Sequence, residues 1–118
     1  MTLNDEVRQA LDRQRTVEIT TIGRRTGRPR RMETWRYRAA GRYWLTGSPG
    51  PRDWYANLVA HPEFTLHLDD RDLPARGRVV TDPEERARMI GEIVRGLDWA
   101  GSQESWIEGS PLVEIELG

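Results

Sequence analysis

Val17-Glu18-Ile19-Thr20-Thr21-Ile22 runs straight into Gly23-Arg24-Arg25-Thr26-Gly27-Arg28-Pro29-Arg30-Arg31, and this junction decides the fold. Apolar Val17 and Ile19 alternate with polar Glu18 and Thr20, the pattern of a half-buried strand. A second alternating run, Met32 to Arg38, follows the turn and places Trp35 and Tyr37 on one face. Two such runs joined by a short glycine-bracketed segment make an antiparallel hairpin. The glycines let the backbone take positive φ and come close to a ligand. The five arginines of the turn cannot hide in so short a segment. Each carries a planar fork that matches phosphate or carboxylate oxygens two at a time. The hairpin tip is therefore a candidate anion cradle.

The charge distribution sharpens that reading. The 118-residue chain carries 18 arginines, no lysine and 19 acids, for a formal net charge of -1. Arginines 24, 25, 28, 30, 31, 36, 38 and 42 nevertheless cluster where Glu33 is the sole acid, while residues 98–118 hold five acids and no base. Such segregation points to a local anionic ligand rather than a surface that coats a polyanion, so no nucleic-acid partner is expected.

The length allows one domain, residues 1–118. No apolar run is long enough to span a bilayer, and no charged-then-apolar leader opens the chain, so a soluble cytoplasmic protein without membrane insertion is expected. Zero cysteines exclude disulfides and thiolate chemistry. His61 and His67 lack the spacing of a metal pair, so no metal site is predicted, and both read as loop or surface residues. Any chemistry here needs an imported reagent.

Leu3, Val7 and Leu11 recur at helical spacing behind Asp5 and Glu6, predicting an N-terminal helix over 1–14. Ala39 to Arg42 turns the second strand into a third, Tyr43 to Thr46, and residues 47–51 form a loop. Asp53 reads as the N-cap of a short helix, Trp54 to Ala60, ended by His61-Pro62. Phe64, Leu66 and Leu68 mark a fourth strand. Asp69 to Asp72 turns the chain into a fifth, Ala75 to Val80. Asp82-Pro83-Glu84-Glu85 is a strong helix start, with Ile90, Ile93, Val94 and Leu97 as the apolar face. Leu112 to Leu117 closes the chain as a sixth strand. Six short, mostly antiparallel strands with two or three helices describe an α+β domain. With so few helices to cover a sheet, closure into a small barrel removes the edges.

Two motifs in order carry a resemblance: Thr20-Thr21-Ile22-Gly23-Arg24-Arg25-Thr26-Gly27-Arg28-Pro29-Arg30 and Trp54-Tyr55-Ala56-Asn57-Leu58-Val59-Ala60-His61-Pro62. Val80-Thr81-Asp82-Pro83-Glu84-Glu85-Arg86 and Ser105-Trp106 follow in register. The chain resembles the deazaflavin-dependent nitroreductases and F420H2-dependent quinone reductases of the split β-barrel flavin/deazaflavin superfamily, over Val17 to the C-terminus. The resemblance implies an FMN-binding split barrel-like fold and coenzyme F420, with FMN as the alternative cofactor. It implies hydride transfer to a small-molecule electron acceptor such as a quinone, activated alkene or nitro compound, and a homodimer.

Carried over, Arg24, Arg25, Thr26 and Gly27 would hold the anionic tail, and Arg30, Arg31, Met32, Glu33, Thr34 and Trp35 would line the cofactor. Leu45, Thr46, Gly47 and Ser48 would pass beside the ring, with Trp54, Tyr55 and Asn57 packing it from the short helix. Ser48 and Tyr55 are the catalytic candidates, as proton donors. Arg36 and Arg38 read as a solvated face. The nitroimidazole-activating relatives carry tyrosines ahead of the Ser-Trp. Here that stretch, Gly96 to Glu104, holds Trp99 and no tyrosine. Leu97, Trp99 and Trp106 are expected to offer a flat apolar surface over the ring, favouring quinones. From the residues alone two other classes stay open: a nucleic-acid or anion-binding module, and the same barrel using FMN or haem.

Overall fold

The computed structural model describes residues 3–117, with side chains from residue 5 onward, so the packing expected of Leu3 lies outside the described side chains. Helix α1 (Leu3–Arg13) carries Asp5 and Glu6 in its first turn and Arg13 in its last, matching the helix dipole at both ends. The remaining elements are β1 (Thr16–Ile22), β2 (Pro29–Ala39), β3 (Arg42–Thr46), α2 (Asp53–Ala60), β4 (Glu63–Leu68), β5 (Arg71–Val79), α3 (Pro83–Arg95), α4 (Gln103–Gly109) and β6 (Leu112–Leu117). The strands close into an antiparallel barrel in the order β1-β2-β3-β6-β5-β4, the α+β barrel that the sequence implies.

Long β2 makes closure possible. Its first half pairs with β1, from Ile22↔Pro29 to Thr16↔Trp35, and its second half with β3, from Arg36↔Leu45 to Ala39↔Arg42. Strand β5 does the same between β4 and β6. It begins at Arg71, four residues before the expected Ala75, which shrinks the turn to Asp69 and Asp70, with Asp69 at φ 52. Pro74 is tolerated inside this strand because of where it pairs. It pairs with Thr65 of β4 but lies outside the β6 ladder, so its missing N–H leaves no gap there.

Inward residues of the barrel form one core: Val17 and Ile19, Tyr43 and Leu45, Phe64, Leu66 and Leu68, Val113 and Ile115, joined by Val7 and Leu11 of α1 and Trp54 and Leu58 of α2. A second core lies outside the wall, where Met89, Ile90, Ile93 and Val94 of α3 and Trp106 of α4 cover Ala39, Trp44 and Leu112.

Three local expectations change. Helix α3 starts as expected, with the Asp82 carboxylate accepting from Glu85 N at 2.9 Å and Pro83 at the first position. Helix α2 does not: its N-cap is Arg52, and Asp53 is already helical, its carboxylate turned to Arg24 at 3.3 Å. The described residues form four helices, because Ser102 caps Gln103–Gly109 through Ser105 N. Of the two arginines expected on a solvated face, Arg38 is exposed but Arg36 is half-buried. Register places them beside Leu45 and Tyr43, where Arg36 donates Nε to Gln14 O at 2.8 Å and Arg38 pairs with Asp12 at 3.1 Å. Trp35 takes the opposite, outer face and is 51% exposed.

Candidate functional site

The arginine turn is tight because its own backbone closes it. Gly23 N donates to Arg28 O and Gly27 N to Gly23 O, both at 2.8 Å. Gly27 sits at φ +70, the left-handed region that favours glycine. Gly23 is required for space: a Cβ there would lie 2.7 Å from Thr26 Oγ1 and 3.3 Å from Arg28 O. Thr26 Oγ1 in turn accepts from Arg28 N at 3.2 Å.

Helix α2 pins this turn from the side. Asn57 is 4% exposed. Its Oδ1 accepts from Arg24 N at 3.1 Å and Arg24 Nη1 at 3.0 Å, while Nδ2 donates to Thr21 Oγ1 at 3.2 Å. Arg24 Nη2 then reaches Asp53. Arg31 is also taken, by Glu18 at 3.0 Å. That hydrogen bond holds the Glu18 carboxyl below its ordinary range and raises the Arg31 guanidinium. Arg25, Arg28 and Arg30 are different: among the described residues none has a carboxylate partner. Their charge is uncompensated and faces outward from a fixed backbone.

Beside the turn lies a cleft of about 590 Å³. Of the residues expected to hold a cofactor, Arg24, Arg25, Thr26, Arg30, Arg31, Met32, Trp54 and Asn57 line it. Thr21, Gly23, Pro51, Arg52 and Asp53 line it too. Sequence reasoning did not assign these five to the cofactor, although Gly23 and Asp53 adjoin residues that it did, Arg24 and Trp54. The cleft does not bring in Gly27, Glu33, Thr34, Trp35, Leu45, Thr46, Gly47, Ser48 or Tyr55. Alternation along β2 explains part of this, since Glu33 and Trp35 share the outer face with Glu18 and Thr16. Leu45 and Thr46 are buried, and the Thr46 hydroxyl donates to Pro111 O.

Leu97, Trp99 and Trp106, expected over the ring, do not line this cleft, and Trp99 is 57% exposed. Trp106 is 1% exposed within the second core, Leu97 packs against the same cluster, and Trp99 leans on Trp106 with ring centroids 5.7 Å apart. His67 also departs from expectation. Its ring sits on β4, 9% exposed, between Thr20 Oγ1 at 2.6 Å and Asp72 Oδ1 at 2.7 Å, and so ties β1, β4 and β5 together. Among the described residues no group of three or more His, Cys, Asp and Glu is placed to hold a metal.

A second cleft of about 580 Å³ shares Pro51 and Arg52 with the first and includes Tyr55. Ser110 belongs to its lining, and the Ser110 hydroxyl is buried without a hydrogen-bond partner, an arrangement that costs about 1–3 kcal/mol in a protein interior.

The F420H(2)-dependent quinone reductase family model matches residues 1–110 of this chain. The chain belongs to that family. Solved structures with the same fold include an F420-H2 dependent reductase, FDR-A, at 22% identity and TM-score 0.62, covering 87% of this chain and 95% of that one. The conserved hypothetical protein Rv2991 from Mycobacterium tuberculosis is similar at 17% identity and TM-score 0.73, over 99% of this chain and 81% of its own. The heme storage protein HutZ from Vibrio cholerae is similar at 16% identity and TM-score 0.69, over 100% and 92%. At these identities the three structures speak for the fold alone. For this member of the quinone reductase family, the first cleft suits a multiply anionic cofactor: it is roomy, its turn is closed by backbone bonds, and its free arginines lack counter-charges. No helix among the described residues is long and apolar enough to cross a membrane.

Proposed function

We propose that the protein transfers a hydride from reduced coenzyme F420 to a small conjugated acceptor such as a quinone, an activated alkene or a nitro compound. One observation carries this reading: Arg25 and Arg30 line a 590 Å³ cleft with no carboxylate partner, beside an Arg24 already fixed by Asn57. Bound reduced deazaflavin supplies the hydride, and the protein supplies placement, dryness and charge.

In this reading Arg24, Arg25, Thr26 and Arg30 hold the phosphodiester and carboxylates of the tail. Arg31 contributes less, since Glu18 already occupies it. Trp54, 3% exposed and set edge-on to Tyr55, is a rigid wall rather than a mobile flap. Leu45 and Thr46, 0% and 2% exposed, present no open surface of their own to a ligand. Tyr55 and Ser48 are the proposed proton donors, Tyr55 half-buried and Ser48 exposed. A donor at a site that needs one matters more than an apolar contact, so the choice of acceptor rests on them.

The test is a fluorescence titration with F420 and with FMN in one buffer. F420 should bind more tightly, and its affinity should fall with added salt as exposed charges are screened. FMN binding at least as tightly would overturn the cofactor assignment. F420H2-dependent quinone reduction, with poor turnover of bicyclic nitroimidazoles, is the expected activity. Quinones left inert beside efficient nitroimidazole reduction would reverse the acceptor preference.

A further inference from the structure

We infer that the second cleft, across α2 from the cofactor cleft, is a site for a small organic monoanion: a carboxylate on a flat or apolar body. Two cations face it. Arg86 donates Nε to Ile107 O at 3.0 Å, Nη1 to Val80 O at 3.1 Å and Nη2 to Ser110 O at 2.6 Å. Arg52 donates Nη1 to Gly50 O at 3.0 Å and Nη2 to Ser48 O at 2.8 Å. All of these acceptors are backbone carbonyls. Among the described residues neither guanidinium has a carboxylate within ion-pair distance.

Guanidinium carries five N–H donors, so carbonyl bonding fixes both groups in place without using up their donors or neutralising their charge. Ser110, whose hydroxyl is buried and unpartnered, belongs to the same lining. Two prearranged cations with spare donors, and the residue that carries the orphaned hydroxyl, line one space of about 580 Å³, a size that takes a single-ring molecule.

The lining also sets the charge of the occupant. Glu108 is the one acid of this cleft, against Arg52 and Arg86, which leaves a lining charge of +1. The cofactor cleft is much more positive, with Arg24, Arg25, Arg30, Arg31 and Arg52 against Asp53. The two clefts therefore sort anions by charge. Pro51, Ala56, Val80 and Pro111 give the second one apolar walls, and Tyr55 adds an aromatic side. Arg52 and Pro51 stand in both clefts, so filling one is felt at the other.

The experiment uses benzoate as probe and benzamide as its neutral counterpart, read by two-dimensional NMR of the full chain with no cofactor added. Its outcome is thus separate from that of the F420 reading. Benzoate should saturate and shift the Arg86 Nε–H signal and the amides of Tyr55 and Ser110. Benzamide should bind about ten-fold more weakly or worse, having no charge to meet the arginines. Glu108→Gln should tighten benzoate about two- to five-fold by removing a like charge at the rim, an effect that damage to the fold does not imitate. Ser110→Ala should weaken benzoate while leaving the protein at least as stable. The inference is overturned if benzamide binds as well as benzoate. It is also overturned if the shifts fall only on residues 24–31, or if Glu108→Gln leaves the affinity unchanged.

Discussion

Replacing Asn57 with leucine keeps the volume of the side chain and removes all three of its hydrogen bonds. Arg24 N and Thr21 Oγ1, the latter in a residue 1% exposed, lose partners in a place that water does not reach easily. Each should cost about 1–2 kcal/mol, toward the lower end for an unpaired buried group. The third bond, to the Arg24 guanidinium, counts for less. That side chain is 30% exposed and keeps Asp53, so about 0.5 kcal/mol is reasonable after solvent screening. The sum is about 3 kcal/mol, or roughly a 10 °C fall in Tm for a domain of this size. Calorimetry reads the stability and an F420 titration reads the turn. Asn57→Asp is the discriminating companion, because its carboxylate still accepts both Arg24 bonds and can accept from the Thr21 hydroxyl. It should fold with near-native Tm and yet bind F420 more weakly, through the added negative charge. A Tm loss below about 3 °C for Asn57→Leu would mean that α2 does not hold the turn. Unchanged cofactor affinity in both variants would refute the idea that this pin prepares the site.

Arg25→Ala should weaken F420 binding by about 1.5–3 kcal/mol, the range of a charged hydrogen bond, while Arg38→Ala, whose partner is Asp12, should do little; equal effects in the titration would indicate a diffuse basic surface. Gly23→Ala should open the turn by forcing Cβ against Thr26 Oγ1, and Thr26→Ala should relieve it, giving a coupling of about 1 kcal/mol in a double-mutant cycle of Tm values. Stability should also depend on acid. Hydrogen bonding to Arg78 holds the Glu85 carboxyl below its ordinary value of 4.5 in the folded chain. A lowered folded pKa stabilises above the unfolded value and is lost as pH falls through the folded one, so Tm should drop below about pH 4.5. Arg78→Met should flatten that part of the pH profile, and a profile identical to the parent's would contradict the assignment.

The hairpin, the barrel and the tight arginine-dense turn were legible because their causes are local. Strand alternation has a period of two, glycine and proline punctuate the backbone, and Asp82-Pro83 announces α3 within four residues. The same locality failed at the start of β5, which pairs with β4 from Arg71 onward rather than from the expected Ala75. It failed again at Gln103–Gly109, too short and too polar to show a helical stripe, although Ser102 caps it.

Partnership was the part that sequence could not supply. The turn's arginines look alike on paper, yet Asn57, 33 positions from Arg24, and Asp53, 29 positions away, hold that one. Glu18 takes Arg31, and the charges of Arg25, Arg28 and Arg30 remain free. Tertiary packing likewise drew Trp106 into the second core and turned Arg36 and Arg38 toward Tyr43, because register fixes the face of every strand residue once one pair is set. Sequence by itself determined which chemistry the chain carries, since residue type and short-range backbone preference are properties of a few neighbours. Only the closed barrel decided which of those charges stay unpaired, because an ion pair between distant positions exists only after the strands have met.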